Sequence, residues 1–184
     1  FEIALYDHDA VIRGEIGEAC RAITSSGTAL LRGWMMKPEQ YSTLFDHLLA
    51  KGLRLITNPD RFKYCHYLPE WYPALSHMTV RSVWAEGVPP EMDACLSALS
   101  CLGSRQVIVK DYVKSWKHDW LDACFIPETA DKKNVCRVIN NFVQAQGTDL
   151  NGGVVLRDFL NLRSLGVHPE SGMPLSVDCR VCVL

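Results

Sequence analysis

Apolar residues recur every three or four positions over 8–24, with Val11, Ile12, Ile16, Ala19, Cys20 and Ile23 on one side, and this spacing predicts an amphipathic helix. Ser25-Ser26-Gly27 ends it, and the apolar run over 28–32 reads as a buried strand. Pro38 suits the first turn of a second helix reaching Ala50, because proline lacks only an N–H that the first turn leaves unbonded. Lys51-Gly52 closes that helix and 53–56 is a second strand. Strand, helix and strand joined by short loops predict a βαβ unit with parallel strands.

Further along, Asn58-Pro59 opens a short helix over 60–66, and 68–73 reads as a rigid, aromatic-rich loop. A short extended segment over 80–84 precedes Gly87-Val88-Pro89-Pro90, which has the composition of a linker. We place a boundary there, giving domains 1–87 and 88–184. The second contains a helix over 91–102, a strand pair or hairpin over 106–114, and an amphipathic helix over 133–146. Strands over 153–160 and 176–183 follow. The mixture is α/β. Because the chain opens at Phe1 and stops within an apolar run ending at Leu184, it is expected to be a piece of a longer protein.

Composition narrows the classes. Hydrophobic residues make up 48% and charged residues 22%, the balance of an ordinary globular chain. A net charge of −2 leaves no footprint for nucleic acid or an anionic membrane, so neither is expected as a partner. With no long apolar span and no leader pattern, a cytoplasmic location is expected. The eight cysteines are scattered and are expected to be reduced and mostly buried. Cys179 and Cys182 form a C-x-x-C, but three residues apart on a strand they point to opposite faces. Phosphate-loop, dinucleotide, serine-hydrolase and zinc-protease motifs are all absent, and the six histidines show no ligand spacing.

The chemistry worth pursuing lies in Val107-Ile108-Val109-Lys110-Asp111-Tyr112-Val113-Lys114-Ser115. A period of two puts Ile108, Lys110, Tyr112 and Lys114 on one face, with the two lysines about 13 Å apart in an extended chain. An ammonium within a strand needs a partner, and an elongated anion would serve. A solvated face with local acidic partners is the other reading of the same pattern. In 153–160, Val155, Arg157 and Phe159 share one face, and Val154, Leu156 and Asp158 the other. Gly152-Gly153 either admits a close approach by ligand or backbone or simply makes a turn. Arg180 offers a guanidinium suited to phosphate, or a local pair with Asp178.

In order, Ala29-Leu30-Leu31-Arg32-Gly33-Trp34-Met35, Tyr67-Leu68-Pro69-Glu70-Trp71-Tyr72-Pro73, the lysine segment over 109–115, the stretch 152–160 with its Leu156-Arg157-Asp158-Phe159, and Asp178-Cys179-Arg180-Val181 resemble the ATP-grasp superfamily. The nearest likeness is to its peptide-ligase-like clade, marked by an arginine and two lysines. The resemblance implies a pre-ATP-grasp α/β domain followed by an ATP-grasp fold of α+β lobes, incomplete within this chain. It implies ATP contacts from Lys110 and Lys114, an adenine-bordering hinge from Arg157, Asp158, Phe159 and Leu160, and a catalytic Arg180 directed at phosphates or an acyl phosphate. Mg²⁺ is implied as well, with its ligands expected beyond residue 184, and none of them within this chain.

The activity so implied is ATP-dependent activation of a small-molecule or peptide carboxylate as an acyl phosphate, then attack by an amine. This stretch alone is expected to be inactive. A non-catalytic nucleotide-binding or interaction module of the same fold stays open, as does a plain α/β domain with surface lysines. The aromatic segment over 67–72 is a candidate acceptor pocket.

Overall fold

The computed structural model describes residues 2–177, and the chain divides into two compact units, 1–71 and 72–184. In the first, β1 (Gly27–Ala29) and β2 (Leu53–Leu55) pair in parallel, Gly27 opposite Leu53, and α3 (Pro38–Ala50) connects them. The βαβ reading holds because both ends of α3 are marked. Pro38 occupies the first turn, the Lys37 N–H donates to Gln40 Oε1 at 2.8 Å, and Gly52 turns the chain at φ +86°. Tyr41, Leu44 and Leu48, at helical spacing, bury against Leu53 and Leu55. The Tyr41 hydroxyl donates to the Thr57 carbonyl at 2.7 Å, and its ring stacks on Phe62 at 3.9 Å.

The expected helix over 8–24 is two short helices, α1 (His8–Ile12) and α2 (Ile16–Ala19). Gly14, at φ +81°, breaks the ladder between them, while Val11, Ile16, Ala19, Cys20 and Ile23 still reach the core. Ile12 does not, and is 44% exposed. After α4 (Pro59–His66), the expected aromatic loop is a helix, α5 (Leu68–Leu75). Pro69 falls in its first turn, so only Pro73 removes an internal hydrogen bond.

The second unit is built on a four-stranded sheet in the order β3-β6-β4-β5, comprising β3 (Ser82–Glu86), β4 (Val107–Lys110), β5 (Phe125–Ile126) and β6 (Gly153–Asp158). All its pairings are antiparallel. β3 runs along β6 from Ser82 opposite Arg157 to Glu86 opposite Gly153, and the compact units divide at 71/72, whereas the expected boundary is at 87/88. Gly152 and Gly153 serve close packing within the protein. A Cβ on Gly152 would strike the Tyr112 ring, and one on Gly153 the Ala85 carbonyl oxygen.

Two helices cover one face of this sheet, α6 (Met92–Leu102) and α7 (Lys132–Gln146). Cys95, Leu99 and Leu102 from the former, and Val135, Val138, Ile139 and Phe142 from the latter, pack on Val107, Val109, Val154 and Leu156. Burying a side chain the size of Phe142 contributes about 1.5–3 kcal/mol. Asp131 caps α7 by accepting from the Asn134 N–H at 3.1 Å, and Gly103 ends α6 in the left-handed region at φ +66°. The second face of the sheet carries Ile108, Lys110, Val155 and Arg157. Beyond it lie β7 (Ser164–Val167) and β8 (Pro174–Ser176), which form a hairpin.

The expected strand over 106–114 ends at Lys110. Asp111 is fully buried and draws the chain into a turn: its Oδ1 accepts the N–H groups of Val113 at 2.6 Å and Lys114 at 2.5 Å. Its own N–H donates to the Lys114 carbonyl at 2.9 Å. Lys110 and Lys114 therefore do not share an extended face. The strand expected over 153–160 stops at Asp158, and most of that expected over 176–183 lies outside the described residues. All six described cysteines are free; Cys20, Cys95 and Cys124 are buried, whereas Cys65 and Cys101 are exposed. No helix among the described residues is long and apolar enough to cross a membrane.

Candidate nucleotide site

Uncovered by α6 and α7, the second face of the β4–β6 pair floors an open cleft of about 990 Å³. Ile108 lies directly opposite Arg157 and Lys110 opposite Val155, so the two cations are diagonal neighbours across the strand pair. Such positions are about 7–8 Å apart, close enough for both to touch one polyanion.

Neither cation forms a salt bridge with a carboxylate among the described residues, although the Asp111 charge attracts Lys110. The Lys110 ammonium donates to the Asp111 carbonyl oxygen at 2.6 Å. Burial, opposed by Asp111 and reinforced by Arg157, pulls its pKa down to about 8. Arg157 donates to the Thr79 hydroxyl at 2.9 Å, and burial also lowers its pKa. Two desolvated cations side by side are costly for folding and favourable for holding an anion.

Next to them is an aromatic shelf. Trp120 stacks on Phe125 with centroids 5.1 Å apart, and Phe159 leans on Phe125 at 4.7 Å; Ile108 and Met173 complete the group. Phe159 is fixed by its N–H, which donates to the Gln106 carbonyl at 3.1 Å. Leu160 follows at the rim, 54% exposed. The cleft thus has a cationic part and an apolar part, complementary to the anionic phosphates and the aromatic base of a nucleotide.

The structure brings together Lys110, Arg157, Asp158, Phe159 and Leu160 around the cleft. Asp158 has its carboxylate engaged within the protein, accepting from Arg81 Nε at 2.9 Å and from the Ser104 hydroxyl, so it secures the end of β6. Lys114 does not line the cleft; its ammonium lies 3.9 Å from Asp149. Arg180 lies outside the described residues. Sequence reasoning missed Ser115, Lys117 and Trp120, which follow the turn at Asp111 and also line the cleft. Their signal was a lysine and a tryptophan soon after the strand, hidden by assuming that the strand continued.

Among the described residues no group of three or more His, Cys, Asp or Glu side chains could hold a metal ion. Magnesium therefore finds no ligand set of that kind there.

An antiparallel sheet with helices on one face and a cationic, aromatic cleft on the other makes the second unit an α+β domain. Residues 101–184 match the model of an ATP-grasp domain family, the third family of the clade named for one arginine and two lysines. Over those residues the chain is similar to the ATP-grasp superfamily. That family has an ATP-binding fold of the ligase type. No curated protein and no solved structure matches the chain.

Proposed function

We propose that this protein is an ATP-dependent carboxylate–amine ligase of the peptide-ligase type, with the triphosphate lying over Lys110 and Arg157. The observation that carries the reading is the pair of desolvated cations without a salt bridge beside the aromatic shelf. In the reaction a carboxylate oxygen of the first substrate attacks the γ-phosphorus. The bond from that phosphorus to the β,γ-bridging oxygen breaks, and ADP leaves with the electron pair. The amine then attacks the acyl carbon of the acyl phosphate, phosphate departs, and the nitrogen loses a proton as the amide forms.

Lys110 and Arg157 would neutralise phosphate charge in a partly desolvated setting, where a fixed cation acts more strongly than in water. The Phe159–Leu160 end of the cleft would border adenine. Arg180 is proposed to act on the phosphates or the acyl phosphate, as the resemblance implies. The acceptor and donor are proposed to be small molecules or peptides bearing a free carboxylate and a free amine.

The test is carboxylate-dependent ADP release by the full-length protein, supplied with ATP, Mg²⁺ and pools of amino acids and short peptides. Hydroxylamine is added to trap an acyl phosphate as its hydroxamate. Hydroxamate that requires both ATP and a carboxylate supports the ligase. ATP binding without carboxylate-dependent turnover across the pools would favour the non-catalytic module instead.

A further inference from the structure

The turn that removes Lys114 from the cleft delivers another lysine to it. Lys117 lies three residues later, in a short 3-10 turn (Lys117–Asp119), and lines the cleft together with Lys110 and Arg157. Its neighbours on both sides are anchored. The Trp116 indole N–H donates to Asp119 Oδ2 at 2.6 Å, and Trp120 is stacked on Phe125. Asp111 fixes the start of the same loop through the N–H groups of Val113 and Lys114. Lys117 therefore projects from a loop held at three points.

The charge environments of the two lysines differ. The Lys114 ammonium faces the Asp149 carboxylate, whereas Lys117 has no carboxylate partner among the described residues. Lys117 is also close enough to the buried Cys124 to act on its thiol: burial pushes that pKa up to about 11, and the lysine charge pulls the other way. Lys117, itself exposed, thus lines the cleft close to Cys124, which belongs to the cluster of Trp120 and Phe125. With Arg81 paired to Asp158, the lining cations without a salt bridge among the described residues are Lys110, Arg157 and Lys117.

We propose that Lys117, in place of Lys114, is the second lysine of the phosphate subsite and contacts the polyphosphate chain of the bound nucleotide. The inference rests on the nucleotide reading of the cleft, and the two can be separated. ATP and adenosine would be titrated calorimetrically into the full-length protein and into Lys110→Met, Lys114→Met and Lys117→Met, with thermal unfolding confirming that each variant folds. Expected is a loss in ATP affinity of about tenfold or more for Lys117→Met, with adenosine affinity unchanged within about twofold. Lys114→Met should stay within about twofold of wild type for both ligands.

If Lys110→Met weakens ATP but Lys117→Met does not, or if Lys114→Met matches the loss of Lys117→Met, the assignment to Lys117 is overturned and the nucleotide site stands. Equal losses of ATP and adenosine in Lys117→Met would also overturn it, by showing a role in shaping the pocket. Wild-type protein that binds neither ligand would remove the nucleotide site, and the assignment with it.

Discussion

Lys110 keeps an ammonium in a place that disfavours it. Burial acts most strongly against the charge, Asp111 attracts it and Arg157 repels it, leaving a pKa of about 8 against the ordinary 10.5. Between those two values the folded protein binds fewer protons than the unfolded chain, so the burial penalty is present in full below pH 8 and fades as pH rises toward 10.5. Lys110→Met should therefore raise stability at pH 7 by roughly 1–3 kcal/mol, a gain that shrinks on going to pH 10. Urea unfolding at both values measures it. A bound polyanion would restore the proton, so ATP affinity should fall above pH 8 by up to about tenfold per unit. Calorimetry in two buffers of different ionisation enthalpy would show the matching proton uptake; equal heats in both would exclude the linkage.

At the level of elements, the turn at Asp111 sets which lysine reaches the cleft. Its second oxygen accepts from the Asn151 N–H at 3.1 Å and from the Asn151 side-chain amide at 3.2 Å, tying the end of β4 to the entry of β6. Removing that acceptor strands several N–H groups in a buried site, so Asp111→Ala should cost roughly 2–4 kcal/mol in urea unfolding. Asp111→Asn keeps one accepting oxygen and should lose less. This turn also shows where the sequence stopped being readable. Alternation through 107–115 looks like continuous strand, and only the habit of aspartate of bonding N–H groups two and three residues ahead argued otherwise. Where punctuation was local and strong, as at Pro38 and Gly52 around α3, the element was legible to its ends. Residues 68–73 misled because two prolines suggested a loop, although a first turn accommodates Pro69. Lys110, Arg157 and Phe159 could be found from strand period alone; Lys117 could not, because its place depends on a buried carboxylate six residues earlier.

Across the whole molecule, two separate apolar cores underlie the two units. One gathers Tyr41, Leu44 and Leu48 with Leu53 and Leu55, and the other packs α6 and α7 on the sheet. Every residue lining the cleft, from His77 to Ser176, belongs to the second unit. Core truncations should then separate stability from binding. Leu44→Ala and Phe142→Ala remove fully buried side chains and should each cost about 2–5 kcal/mol. Phe142 belongs to the core that packs against the strands carrying Lys110 and Arg157, so its loss should loosen the register of the cations and weaken ATP binding at temperatures where the protein is still folded. Leu44→Ala should leave ATP affinity within about twofold of wild type under the same conditions. Calorimetric titration below the unfolding transition of each variant provides the comparison. If Leu44→Ala cut affinity as much as Phe142→Ala does, the site would depend on both cores, and assigning the cleft to the second unit alone would have to be abandoned.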